Sequence, residues 1–206
     1  MLFVSGITAA LSKQCAKELI LCVQEAKKRG VRVGFDMNYR RKLWKEASAA
    51  REIFDEVLGM TDILFGNTGA LNDVHHIQPK STDSLQATLE AIGIAKEMFG
   101  VTHCAFTIRN HISASINELQ AVFSSPEGNA ISNQYTVGIL DRFGTGDAFA
   151  AACLHGLGNN WEAQQLIEFG AAAFALKHTI YGDHHTSTNA EINAIVNGQT
   201  SGHVLR

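Results

Sequence analysis

Short apolar runs alternate with segments of helical period along most of this chain, and that alternation leaves few folds open. Residues 2–4, 31–35, 62–65 and 103–108 read as strands. Between them, 12–29, 47–58 and 85–99 carry apolar side chains at helical spacing. Cys15, Leu19, Cys22, Val23 and Ala26 share one face of the first. Strands separated by helices form βαβ units, whose crossovers lay helices against a parallel sheet. The expected class is α/β, three layers (α/β/α) around a mostly parallel sheet. Gly30, after Lys27, Lys28 and Arg29, is a natural helix stop, and Gly100 is another. From 113 to 137 strand and turn formers take over around Ser125-Pro126-Glu127-Gly128-Asn129, which predicts a short antiparallel excursion. Helices are expected again at 147–157, 161–178 and 189–196.

One domain over 1–206 is expected, without internal repeat or linker. The opening strand belongs in the middle of a sheet, and nothing before it covers that edge. The expectation is an N-terminally shortened fold whose copies associate through the exposed edge.

With 206 residues, 46% of them hydrophobic and 18% charged, the chain has material for a real core. Its net charge is −3 and its Lys and Arg residues form no stripe, so neither nucleic acid nor an anionic membrane is expected as a partner. No stretch is long and apolar enough to span a bilayer, and Met1-Leu2-Phe3-Val4 is too short for a signal peptide. Cys15, Cys22, Cys104 and Cys153 form no C-x-x-C pair and read as core thiols in the reducing cytoplasm.

The segment that most invites chemistry is Asp141-Arg142-Phe143-Gly144-Thr145-Gly146-Asp147-Ala148-Phe149. Small residues at 144–146 let successive N–H groups converge, and the helix that follows aims its positive end at the same point. That suits a phosphate. Asp147, on the first turn, would accept a hydroxyl proton in phosphoryl transfer. A glycine turn with an Asp capping a helix reads equally well from these residues alone. The pattern is not G-x-x-x-x-G-K-[ST], and it misses G-x-G-x-x-G at Phe149. A dinucleotide-binding oxidoreductase therefore has little behind it.

The same segment resembles the second signature of the PfkB (ribokinase-like) carbohydrate kinases, D-[RT]-x-G-[AGT]-G-D-[AS]-F. Further stretches are similar to the 2-keto-3-deoxygluconate kinase branch: Ser5-Gly6-Ile7-Thr8, Phe35-Asp36-Met37-Asn38-Tyr39-Arg40 through Trp44, Thr107-Ile108-Arg109-Asn110-His111-Ile112 through Ser115, and Leu176-Lys177-His178-Thr179-Ile180-Tyr181-Gly182-Asp183. They occur in the family's order. The resemblance implies ATP-dependent phosphorylation of the terminal hydroxyl of a sugar acid, 2-keto-3-deoxygluconate to its 6-phosphate, with ATP and Mg²⁺ as cofactors. It makes Asp147 the catalytic base and Gly144, Thr145 and Gly146 the cradle of the transferred group. Asn38, Tyr39 and Arg40 would face the nucleotide, Thr107 to Ile112 would line its phosphates, and Arg40, Asp147 and Asp183 would meet the sugar acid. No residue is expected to ligate metal directly. Arg40 has its own logic, because a guanidinium fork matches a carboxylate or phosphate bidentately.

Departures from the family pattern keep two alternatives open. The family's N-x-x-E is Asn67-Thr68-Gly69-Ala70 here, without the Glu that helps organise Mg²⁺, and Tyr181 replaces a proline. The resemblance also lacks the family's N-terminal strands and lid. A non-catalytic, nucleotide-binding remnant and a kinase for a neutral sugar such as fructose or ribose are the alternatives. His75-His76 and His184-His185 read as surface loop residues, and Trp44 and Trp161 as packing anchors.

Overall fold

The computed structural model describes residues 1–199, which form two compact units. The first holds 1–108 and 122–129; the second holds 109–121 and the chain from 130 onward.

In the first unit β1 (Leu2–Ser5), β2 (Val33–Asp36), β3 (Ile63–Gly66) and β4 (His103–His111, as far as residue 108) run parallel, each beside the next. The helices between them are α1 (Gly6–Leu11), α2 (Lys13–Lys28), α3 (Ala47–Leu58), α4 (Thr68–His75) and α5 (Ser84–Phe99). Val33, Phe35, Ile63, Leu64 and Phe65 are buried, so β2 and β3 read as continuous apolar runs, as strands covered on both faces must. Against them α2 buries Ala16, Leu19, Val23 and Ala26, and α3 buries Ala50, Phe54, Val57 and Leu58. Phe54 meets both Phe35 and the packing anchor Trp44 edge to face, at 5.3 and 5.9 Å.

Two helices lie where no helix was expected. G-I-T-A-A-L is too short to show a period, yet forms α1; Ser12 then turns extended and caps α2 by accepting from the Cys15 amide at 3.1 Å. The polar stretch of α4 starts on Asn67, whose side chain accepts from the Ala70 amide at 2.9 Å. The cysteine expectation is half right. Cys104 and Cys153 are buried, but Cys15 is only half-buried and Cys22 is exposed, because the buried seam of α2 runs through Ala16 rather than Cys15. His75 is also no surface residue. Its side chain is buried on α4, bonded to Asp55 at 2.7 Å and set against Phe99.

In the second unit β5 (Ile116–Ser125), up to residue 121, pairs antiparallel with β7 (Tyr135–Gly138), in the excursion the turn signals predicted. The hairpin partner β6 (Gly128–Ile131) follows the turn at 126–127. Next come α6 (Thr145–Gly158), α7 (Ala163–Lys177) and α8 (Asn189–Val196), the last opened by a capping box between Thr188 and Glu191. A Cβ on Gly170 would sit 2.7 Å from the Cys153 sulfur, so α6 and α7 approach closely only because residue 170 has no side chain. Ala171, Ala172 and Ala173 of α7 are buried as well. Among the described residues no helix is long and apolar enough to cross a membrane.

Gly6 gives a direct test of the packing. A Cβ there would collide with the Met37 carbonyl oxygen and the Phe54 ring, whereas one on Gly93, inside α5, would meet nothing within 4 Å. Gly6→Ala is expected to lower unfolding free energy by about 2–4 kcal/mol. Gly93→Ala is expected to raise it by about 0.5–1 kcal/mol through helix propensity. Urea titrations of both variants check the opposite signs.

Candidate functional site

The loop before α6 is built by one carboxylate. Asp141 accepts from the amides of Arg142 at 2.6 Å and Phe143 at 3.0 Å, and these bonds hold its carboxyl below the usual range. The chain then passes through Gly144, left-handed at φ 68°, which is the N-cap of α6 and supplies no side-chain cap. The first amides of α6 are therefore left without a side-chain acceptor at the positive end of a 14-residue helix. Thr145 is buried, with its hydroxyl donating to the Arg142 carbonyl at 3.2 Å, while Gly146 and Asp147 are exposed beside it. This is the geometry of an anion site with a free carboxylate at its rim.

A strap at 180–183 is fastened over this turn. The Gly182 amide donates to Asp141 Oδ2 at 2.8 Å. Lys177, wholly buried at the end of α7, donates its ammonium to the carbonyls of Ile180 at 3.0 Å and Gly182 at 2.6 Å. One residue, Gly182, thus links a buried cation to the carboxylate that shapes the turn. Beyond it the Asp183 carbonyl oxygen packs on Gly144 so tightly that any Cβ at 144 would overlap it. Asp183 itself is exposed and pairs with His184 at 2.8 Å.

Arg109, on β4, reaches the same turn. Its Nη2 lies 3.5 Å from the Thr145 hydroxyl and 3.3 Å from His178 Nε2, and its guanidinium sits 5.5 Å from the centre of the Phe174 ring. His178 is buried. Its Nδ1–H donates to the Phe174 carbonyl at 2.7 Å, which leaves Nε2 as an acceptor for Arg109. Burial, with Arg109, Arg142 and Lys177 adding to it, pushes the imidazole down to about 4. The His178 carbonyl accepts from the amides of Leu140 and Asp141, so this residue supports the turn from its backbone as well. The loop after β4 joins in: the Ser115 carbonyl accepts from Ile139 N at 2.7 Å, and Arg142 donates to the Ala114 carbonyl at 3.1 Å.

The second unit therefore brings Arg109, Gly144, Thr145, Gly146, Asp147 and Asp183 to one turn. Asn110 lies next on β4, and His111 is bonded to Asn117 at 3.0 Å; Ile112 is exposed beyond the strand. In the first unit Ile108 turns its side chain into the core, and Thr107 is half-buried beside it. Asn38 sits at φ 35°, its amide donating to Asp36 at 3.1 Å and its side chain to Ser5 Oγ at 3.0 Å. This joins the S-G-I-T and F-D-M-N stretches. Tyr39 is half-buried, and Arg40 is exposed with no carboxylate paired to it among the described residues. The sequence gives Lys177, His178 and Arg142 no role. For Lys177 and His178 the available signal is a Lys-His pair closing an apolar helix, where a charged side chain must find buried acceptors.

No protein-family model matches the chain. A 2-dehydro-3-deoxygalactonokinase of Haloferax volcanii is 28% identical over 202 residues, 97% of this chain and 58% of the relative. The 2-dehydro-3-deoxygluconokinase structure from Thermotoga maritima superposes with a TM-score of 0.90 at 30% identity, over 95% of this chain and 59% of that one. A PfkB family carbohydrate kinase from Listeria grayi gives 0.85 and 31%, over the same shares. The chain is a relative of the PfkB carbohydrate kinases. It has their α/β fold and spans about 58% of the length of the curated relative it matches.

His178 yields a pH prediction. Above its ordinary value of 6.5 the imidazole is neutral in folded and unfolded chains alike. Between 6.5 and about 4 only the unfolded chain takes the proton, so stability present above 6.5 is lost as pH falls toward 4. His75, His103 and His185, all lowered by burial, act in the same direction. Unfolding free energy is expected to drop from pH 7 to pH 5, by about 1–2 kcal/mol from His178 alone. Urea titrations should show the slope, flattened in His178→Gln; a flat profile for the unaltered chain contradicts it.

Proposed function

We propose that this chain is the nucleotide-binding and catalytic part of an ATP-dependent kinase for a sugar acid, and that it belongs to a single kinase domain. The observation that carries the reading is the uncapped start of α6 behind Gly144, with Asp147 exposed on its first turn. Gly144, Thr145 and Gly146 cradle the γ-phosphoryl group, and Arg109, with Asn110, His111, Ile112, Thr107 and Ile108 along β4 and just beyond it, follows the nucleotide's phosphates. Asn38, Tyr39 and Arg40 meet nucleotide and sugar acid. Asp147 takes the proton of the terminal hydroxyl, that oxygen attacks the γ-phosphorus, and the bond to the β,γ-bridging oxygen breaks to release ADP. Asp183 binds the far hydroxyls of the sugar.

The acceptor class follows from Arg40. A neutral hexose offers nothing for an unpaired guanidinium, whereas the carboxylate of 2-keto-3-deoxygluconate does. The names of the relatives point to deoxy keto sugar acids as well. Among the described residues no three His, Cys, Asp or Glu side chains gather as a metal site, and Asn67 spends its side chain capping α4. A Mg²⁺ ion would accordingly arrive on the phosphates and keep waters as ligands, supplying charge neutralisation there. A cytoplasmic location goes with the reading, as does association of copies at β1, whose only sheet neighbour among the described strands is β2 and whose flank is an apolar groove of Leu2, Leu21 and Val31. Ala70, in place of the family Glu, favours a second reading in which the chain binds nucleotide without turning it over.

Transfer of ³²P from ATP to a panel of sugars separates these readings. 2-Keto-3-deoxygluconate is expected to outpace fructose and ribose, and Asp147→Asn to cut the rate by about 10²–10⁴-fold with ATP affinity kept. Preference for a neutral sugar, or undiminished transfer by Asp147→Asn, would overturn the proposal; ATP binding with no transfer to any sugar would leave the second reading standing.

A further inference from the structure

Cations packed inside a protein normally have a carboxylate beside them, because burying charge without compensation is costly. The glycine turn breaks that rule. Arg109, mostly buried, has three neighbours there, a hydroxyl, a neutral imidazole and an aromatic face. The pKa of Arg109 is lowered by its burial first and then by repulsion from Arg142, which donates to the Ala114 carbonyl. No carboxylate pairs with either arginine among the described residues. Two like charges thus converge on a helix N-terminus that is itself positive, and the Nε of Arg109 is buried with no partner. Something must hold the guanidinium there against repulsion without cancelling it.

We propose that His178 is a positioning residue that fixes Arg109 beside the glycine turn and, being an uncharged acceptor, leaves its full charge for the terminal phosphates of a nucleoside triphosphate. The inference rests on the nucleotide reading above and assigns the means by which that site keeps its charge. The Phe174 carbonyl sets the tautomer by accepting from Nδ1, so Nε2 faces Arg109 with a lone pair. Protonation would turn that acceptor into a donor and place a third cation at the turn. Burial opposes it, consistent with an imidazole that stays neutral at physiological pH. A carboxylate in the same place would hold Arg109 equally well in geometry, but the pair would be neutral and the anion site weaker.

Gln and Glu have the same shape and differ here only in charge, so the test compares H178Q with H178E. The probe is inorganic tripolyphosphate, titrated calorimetrically into the 206-residue chain, with thermal melts showing that each variant is folded at the working temperature. His178→Gln is expected to retain affinity close to that of the unaltered chain, and His178→Glu to lose roughly 10–100-fold, the worth of one or two charge-assisted hydrogen bonds. Equal affinities for the two variants would overturn the inference. Should either variant fail to fold, Arg109→Gln, with the imidazole untouched, must show the same 10–100-fold loss; an undiminished affinity there overturns it too. An unaltered chain that ignores tripolyphosphate would instead sink the nucleotide reading, and this inference with it.

Discussion

The arrangement at the turn hangs on one close contact: the Asp183 carbonyl resting on the bare Cα of Gly144. Residue 144 must be left-handed to start α6 where it does, and must lack a Cβ for the strap to seat. Once seated, the strap offers the backbone of Gly182 to two opposite charges. Asp141 takes the N–H and Lys177 takes the carbonyl. A buried ammonium and the carboxylate that folds the turn are thereby tied to one residue of the strap, each through a different peptide unit of Gly182.

The electrostatics follow from that anchoring. Asp141 is consumed by backbone amides, Lys177 by carbonyls, and Arg109 by neutral groups. At the turn Asp147 is exposed, and the other exposed carboxylate, Asp183, is paired with His184. The result is a helix N-terminus with fixed donors and the exposed Asp147 beside it, the division of labour that the proposed phosphoryl transfer would use: donors for developing charge and a separate proton acceptor.

Much of this was legible in the sequence because strand–helix alternation and glycine stops are local signals. Gly30, Gly100 and the turn at 126–127 fell where chemistry demanded, and the helices at 47–58 and 189–196 match α3 and α8. What escaped was decided by tertiary contacts. Six residues of α1 have too few turns to display a period, and α4 looks polar until His75 is seen packed on Asp55 and Phe99. Cys22 lies on the face predicted as core because the apolar stripe of α2 could be drawn through Cys15 or Ala16, and only packing chose. The site divides in the same way. Gly144 to Asp147 announced themselves by composition. Lys177 and His178 lie inside the L-K-H-T-I stretch without a role legible there, because a buried Lys or His declares its function only when its acceptors are known. The Ile108 side chain is buried in the core because β4 alternates sides along its length, which the segment 107–112 does not show as sequence.

Whether the amides at the start of α6 receive an anionic ligand decides the function of the turn. The direct measurement is a ¹H–¹⁵N correlation spectrum of the labelled chain titrated with a non-hydrolysable ATP analogue. The largest amide shifts are expected at Gly144, Thr145, Gly146 and Asp147, with the Arg109 side-chain resonances moving at the same ligand concentration. Saturable shifts confined to other residues, with the 144–147 amides unmoved, would contradict an anion site there.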